Sequence, residues 1–352
     1  MKRIISWLLM SLLLVGALAC HNPVVPNDKE DVPVKETATD APVVTDEPQE
    51  DEPQADEPLK AWVNPNVAAL SGPTGVGLAY LMQEKSDFYN VSLYTAPDQI
   101  TAKFINGEID IAAVPVNLAS VLYNKTQGEA AVIAVNTLGV LYLLENGETV
   151  SSMQDLSGKT VWSTGQGSTP QYILEHLLAV NGLTDSVKVE YLADNTELIA
   201  KLVSGEAELA VLPEPHVSVA RAQSETLRVA LSLTDAWGEQ HDTDLVQGVY
   251  LVRRAYLEEN AAFVDAFLTD AAASAEQVLT AEDAASVVVA AGILPNEGIA
   301  KRAIPNCNIV LKTDAEMKAL VQDMLTVLFE ANPASVGGAL PDDGFYYVPS
   351  AS

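Results

Sequence analysis

The stretch Ile100-Thr-Ala-Lys-Phe-Ile-Asn-Gly-Glu-Ile-Asp-Ile-Ala-Ala-Val-Pro115 is echoed by Leu198-Ile-Ala-Lys-Leu-Val-Ser-Gly-Glu-Ala-Glu-Leu-Ala-Val-Leu-Pro213. Ala102, Lys103, Gly107, Glu108, Ala112 and Pro115 recur as Ala200, Lys201, Gly205, Glu206, Ala210 and Pro213, and most other pairs keep their apolar or acidic character. Each copy reads as helix, glycine stop, strand, proline. In the first, Asp98 follows Pro97 and is the expected N-cap, while Ile100 and Phe104 lie one turn apart on one face. Asn106-Gly107 is a helix C-terminal signal. Ile109 to Val114 is a short apolar run, as a strand buried on both faces requires, and Pro115 ends it. The second copy repeats each step, with Ser204-Gly205 as the stop.

Upstream of each copy the same shape recurs. Asn66 to Ser71 reads as a strand, followed by Gly72-Pro73-Thr74-Gly75-Val76-Gly77 and a helical stretch with Leu78, Leu81 and Met82. In the other half Thr160 to Ser163 reads as a strand, followed by Gly165-Gln166-Gly167-Ser168-Thr169 and a helix. Pro170 suits that helix's first turn, Ile173, Leu174, Leu177 and Leu178 form one face, and Asn181-Gly182 closes it. Each half is therefore strand, Gly-rich turn, helix, strand, helix, strand. Such alternation predicts an α/β fold with parallel strands and right-handed crossovers. Two like units predict two lobes. Ligands of open α/β sheets sit beyond the carboxyl ends of the strands, so two facing lobes make a cleft there.

The N-terminal end reads as an export signal over residues 1–19. Lys2 and Arg3 precede an almost wholly apolar run, Ile4 to Ala19, that is short for a membrane span. Gly16-Ala17-Leu18-Ala19-Cys20 resembles a bacterial lipobox. That resemblance implies cleavage before Cys20, lipidation of its thiol and tethering to the membrane surface. Residues 20–57 read as a linker: after Cys20 they hold 12 acidic residues and 2 lysines among many prolines. Such a chain is expected to stay disordered and stretched. The net charge of −29 argues against nucleic acid or anionic lipid as a partner of the folded surface. With Cys20 lipidated, Cys307 has no partner for an internal disulfide and is expected to be a buried structural thiol.

Chemistry-bearing constellations are few. The Gly72–Gly77 turn has phosphate-loop spacing, but Leu78 and Ala79 stand where lysine and a hydroxyl residue belong, and no dinucleotide fingerprint fits. What remains is a Gly-rich turn before a helix in each half, which presents backbone N–H groups and the positive dipole end. Ser168 and Thr169 add hydroxyls that cap the helix or contact a ligand. Pro115-Val116-Asn117 and Pro213-Glu214-Pro215-His216 follow matching strand ends and point at the cleft. Asn117 offers a donor and an acceptor. Glu214 serves either as acceptor for a ligand amine or ring N–H, or as a helix N-terminal residue. Trp162, Tyr172 and Tyr94 are stacking candidates that are equally at home in a core. His21, His176, His216 and His241 form no metal-ligand pair at helical spacing, and His176 reads as a surface or packing residue. No nucleophile elbow is present. The expectation is no catalytic residue, no metal and no cofactor.

Taken in order, the lipobox, Ala69-Leu-Ser-Gly-Pro-Thr-Gly75, Gly107-Glu-Ile-Asp-Ile-Ala-Ala-Val-Pro115 and Leu212-Pro-Glu-Pro215 resemble bacterial ABC-transporter substrate-binding proteins of the type II periplasmic binding protein fold. The nearest group is that of thiamine-precursor, aliphatic sulfonate, taurine and nitrate binders. The resemblance runs over about residues 58 to 347, including Ile304-Pro-Asn-Cys-Asn308 and Pro341-Asp-Asp-Gly-Phe-Tyr-Tyr347. It implies a cleft between two doubly wound sheets: lobe one over 58–145, lobe two over 146–243, and a return to lobe one over 244–347 through Val246 to Val252. Helices over 260–279 and 313–331 then pack on lobe one. It places the site between Ser71, Gly72, Pro73, Thr74, Gly75, Pro115, Asn117 and Thr137 on one side, and Gly165, Gly167, Ser168, Thr169 and Glu214 on the other. It implies a monomer held at the extracytoplasmic membrane face by Cys20, with an ABC permease and ATPase as partners. An enzyme relative on the same fold uses a cysteine-rich motif and pyridoxal phosphate; no such cysteine cluster is present. The site segments carry no Arg or Lys, which tilts the ligand toward a neutral or zwitterionic ring such as a pyrimidine over an anion. Other readings are a sensor or adhesion lipoprotein, or an exported enzyme.

Overall fold

The computed structural model describes residues 64–348, so the expected signal segment, Cys20 and the expected acidic linker lie outside the described residues. The first run is β1 (Asn66–Leu70), α1 (Pro73–Val76), α2 (Ala79–Glu84), β2 (Asn90–Tyr94), α3 (Pro97–Ile105), β3 (Ile111–Pro115), α4 (Val116–Lys125) and β4 (Ala130–Leu138). The second is β5 (Leu141–Asn146), β6 (Thr160–Ser163), α5 (Thr169–Val180), β7 (Lys188–Tyr191), α6 (Asn195–Ser204), β8 (Leu209–Pro213), α7 (His216–Gln223), β9 (Leu227–Ser232) and α8 (Leu233–Gly238). The return is β10 (Val246–Arg253), α9 (Arg254–Glu259), α10 (Ala261–Thr280), α11 (Ala284–Ala290), α12 (Glu297–Ala303), β11 (Ile309–Lys312) and α13 (Asp314–Ala331).

Two sheets result, ordered β11-β4-β10-β3-β1-β2 and β7-β6-β8-β5-β9. The repeat is visible in this order. β1 pairs in parallel with β2 and β3, as β6 does with β7 and β8. Each sheet then takes one antiparallel strand from across the molecule: β10 beside β3, and β5 beside β8. The chain thus crosses between the sheets twice, at 138–141 and at 239–245. The first crossing precedes the expected boundary at 145, because Leu141 to Glu145 already pair with β8.

The repeated residues have a local cause. In both copies the backbone turns at a glycine with positive φ, 75° at Gly107 and 77° at Gly205, where a side chain would be strained. The repeated lysine then bonds the repeated glutamate across that turn. Lys103 Nζ lies 2.7 Å from Glu108 Oε2, and Lys201 pairs likewise with Glu206. These pairs are largely solvated, so they shape the turn more than they stabilise the fold. The apolar periodicity is honoured: Ile100, Phe104, Ile173, Leu174, Leu177 and Leu178 are all buried.

Two local expectations are corrected. Asp98 lies inside the first turn of α3 and is not its N-cap; the side chain of Gln99 reaches back to accept from Thr95 N and Ala96 N, both at 3.2 Å. The stretch after Gly72 is two short helices with a break at Gly77–Leu78.

Candidate functional site

A cavity of about 220 Å³ opens between the lobes, beyond the carboxyl ends of β1, β3 and β8. Lobe one contributes Leu70, Ser71, Pro73, Thr74, Pro115 and Gln247. Leu141, Pro170, Pro213 and Glu214 face them from lobe two, with Val140 at the crossing. A larger hollow of about 560 Å³ lies between α2 and α11, but lobe one alone walls it.

Close backbone packing positions the lobe-one wall. A Cβ on Gly75 would lie 2.6 Å from the Leu70 carbonyl oxygen, so the turn folds back on its strand only as glycine. Asn136 Nδ2 donates to the Thr74 carbonyl at 3.1 Å, and Thr137 Oγ1 donates to Asn136 Oδ1 at 3.1 Å. Thr137 is fully buried and holds Asn136, which in turn holds the turn. Among the expected site residues Ser71, Pro73, Thr74, Pro115 and Glu214 meet at the cavity; Gly72, Gly75, Asn117, Thr137, Gly165, Gly167, Ser168 and Thr169 are not among its lining residues.

The two Gly-rich turns use much of their donor capacity internally. Pro73 has no N–H, and Gly75 N donates to Gly72 O at 3.0 Å. In the second turn Gly167 N donates to Gln171 Oε1 at 2.6 Å, while Ser168 N and Oγ both donate to Gly165 O. Ser168 occupies the N-cap position of α5, yet its hydroxyl makes no cap bond.

Among the described residues, Glu214 is the one ionisable side chain lining the cavity. It is only 2% exposed. Its carboxylate accepts from Ser218 N at 3.2 Å and Ser218 Oγ at 3.1 Å, which makes it a helix N-terminal residue for α7. It also accepts from Asn306 Nδ2 at 3.1 Å, a residue of the lobe-one return segment. Burial pushes its pKa up, against the pull of these donors. The same segment braces the first crossing. Tyr142 Oη donates to Asn306 O at 2.8 Å, and Asn308 Nδ2 donates to Gly139 O at 2.6 Å. Burial, then the charge of Glu214, pushes the Tyr142 phenol up to about 12. Cys307, between these asparagines, is a free buried cysteine whose thiol burial pushes far up, so it is the inert structural residue expected.

None of the stacking candidates lines the cavity. Lys201 Nζ covers the Trp162 ring at 5.4 Å, and Tyr172 is buried and accepts from Asn332 Nδ2 at 2.8 Å. Leu70, Val140, Leu141, Pro170 and Gln247 had not been expected at the cleft, whereas Pro213 lies where its strand end pointed. Gln247 had a signal: it is the sole polar side chain in the otherwise apolar run Val246 to Val252, apart from the Tyr250 hydroxyl.

Solved structures share this architecture. An ABC transporter structure from Parabacteroides distasonis aligns with a TM-score of 0.69 and 24% identity, over 82% of this chain and 99% of that one. The periplasmic aliphatic sulphonate binding protein SsuA of Escherichia coli aligns at 0.64 and 21%, over 82% and 92%. The periplasmic nitrate-binding protein NrtA of Synechocystis aligns at 0.50 and 13%, over 76% and 81%. The fold is that of a type II periplasmic binding protein. Within this binding-protein fold, residues 124–285 also match the family described as NMT1/THI5 like. That match spans lobe two and both crossings, the part that builds one wall of the cleft and the joint behind it. The group indicated by the sequence motifs agrees with these findings. No curated protein matches the chain.

Proposed function

We propose that the chain is an extracytoplasmic solute-binding lipoprotein, anchored through Cys20, that captures a small polar molecule and delivers it to an ABC permease and ATPase by hinge closure. The observation that carries this reading is a small cavity walled by both lobes at the crossings, where a bound molecule gains most from closure. The chain acts as a monomer and turns over no substrate. Ser71, Thr74, Gln247 and Glu214 supply the polar contacts, and the four prolines supply apolar walls without N–H groups. Among the described residues, the lining holds a buried carboxylate and neither Arg nor Lys. This favours a neutral or cationic ring bearing N–H groups, such as a thiamine-type pyrimidine, over a sulfonate.

The test is a thermal-shift screen of the full chain, refolded to strip bound ligand, against pyrimidines, thiamine, sulfonates, taurine and nitrate. A ligand at 100 times its Kd stabilises by about 2.7 kcal/mol. The expected result is a pyrimidine-class hit that Glu214→Gln weakens. A sulfonate or nitrate hit overturns the ligand class. No hit with a folded domain overturns the capture role and favours a sensor or adhesion lipoprotein; turnover of a hit identifies an exported enzyme.

A further inference from the structure

Away from the cleft, five residues meet at the second crossing. His176 on α5 and His241 on the crossing approach Nε2 to Nε2 at 2.8 Å. The Nδ1 of His241 lies 3.0 Å from Asp323 Oδ2 on α13, and Thr243 Oγ1 donates to the same oxygen. The Trp237 ring of α8 stacks on His241, with centroids 3.9 Å apart and planes within 9°. This cluster joins the lobes. α5 belongs to lobe two, whereas α13 packs on β4 and α4 of lobe one and also against α5. Asn332 just past α13 ties it to Tyr172 of α5 as well.

We propose that His176 and His241 form a proton-operated latch that holds α5 to the second crossing and α13 near neutral pH and releases them in acid. Proton counting gives the reason. Only one hydrogen fits between two Nε2 atoms at this distance, so one of them must be bare. His241 donates through Nδ1 to Asp323, and His176 Nδ1 is free to gain a proton. The geometry therefore tolerates three ring protons, or one positive charge on the pair. A fourth sets two N–H groups head to head and places two cations in contact. The remaining charges near the pair come from α13, where Asp323 and Glu330 favour the charged form of His176. Glu175 and Asp242 are exposed sequence neighbours. Burial first, and then His241, hold the His176 pKa below its ordinary value. The sign follows: the unfolded chain binds protons more readily, so the latch's contribution is present above about pH 6.5 and is lost as pH falls toward the folded value.

The test is hydrogen exchange of the full chain at about pH 7.5 and about pH 5, corrected for intrinsic exchange, in wild type, His176→Gln and His241→Gln. In the wild type, amides of α5 and α13 exchange about tenfold or more faster in acid, while those of β1 and β3 do not. Each glutamine variant removes that acid sensitivity, since an amide bonds the remaining imidazole without a second charge. Equal acceleration in all three proteins, or none in the wild type, overturns the latch. Imidazole NMR titration of the wild type gives an independent reading: two separated, coupled steps support the latch, and independent single titrations overturn it.

Discussion

Gly248→Ala is expected to destabilise the folded chain by about 2–3 kcal/mol and to weaken ligand capture at the same time. Gly248 sits in β10 opposite Pro115 of β3 and beside Thr137 of β4, so it lies at the back of the lobe-one wall. A Cβ there would stand 2.6 Å from Thr74 Cγ2, 2.7 Å from Asn136 Oδ1 and 3.4 Å from Thr137 Cβ. These neighbours are buried and have little room to yield. Moving Asn136 breaks its bond to the Thr74 carbonyl, and moving Thr74 deforms the cavity. Chemical denaturation checks the first effect and titration with the hit from the ligand screen checks the second. A variant within about 0.5 kcal/mol of the parent and with unchanged affinity contradicts this packing.

Glu145→Ala is expected to destabilise by about 3 kcal/mol near neutral pH. Glu145 lies in β5, the strand that lobe two receives directly after the first crossing, and its side chain is 3% exposed. It accepts from Thr149 N at 2.7 Å, Thr149 Oγ1 at 2.6 Å and Val150 N at 3.2 Å, and it pairs with Arg228 of β9. Burial alone would raise its pKa. The Thr149 and Val150 donors and the Arg228 charge outweigh that and lower it. With a depressed folded pKa, the carboxylate's contribution is present above the unfolded value and lost as pH falls through the folded one. Urea denaturation across the acid range should therefore show the wild type losing more stability than Glu145→Gln as pH drops. Parallel pH profiles contradict the assignment.

Much of the fold was legible because its signals are local. The repeated Gly107 and Gly205 need positive φ, Pro115 and Pro213 end their strands, and the apolar faces of α3 and α5 follow helical spacing. From these the two α/β units and the position of the cleft follow. Less legible was everything decided by distant pairing. Leu141 belongs to the second sheet because it pairs with Pro213 of β8, with β9 joining the strand from Tyr142 on, and no feature near Leu141 announces this. Thr137 was a ligand contact only by the family resemblance; in the fold it pairs with Gly248 of β10 and its hydroxyl donates to Asn136, contacts that no local sequence feature announces. Glu214 was offered two roles; the helix-end role is plain only once Ser218 and Asn306 are placed beside it. His176 and His241 stand 65 residues apart, so no spacing rule brings them together. Pro170 and Leu141 enter the cavity as plain apolar walls, a role that carries no sequence signature.

The proposed capture role requires two lobes to close around a molecule held between them. Thr95 and Ala193 are exposed and lie just past the carboxyl ends of β2 and β7, one in each lobe. Cys307 is buried and would take no label, and Cys20 is removed by Cys20→Ser. Spin labels on Thr95→Cys and Ala193→Cys in the full chain give the distance between lobes directly. A shorter and narrower distance distribution is expected when the hit from the ligand screen saturates the protein. A ligand that stabilises the chain while leaving that distribution unchanged would contradict capture by hinge closure.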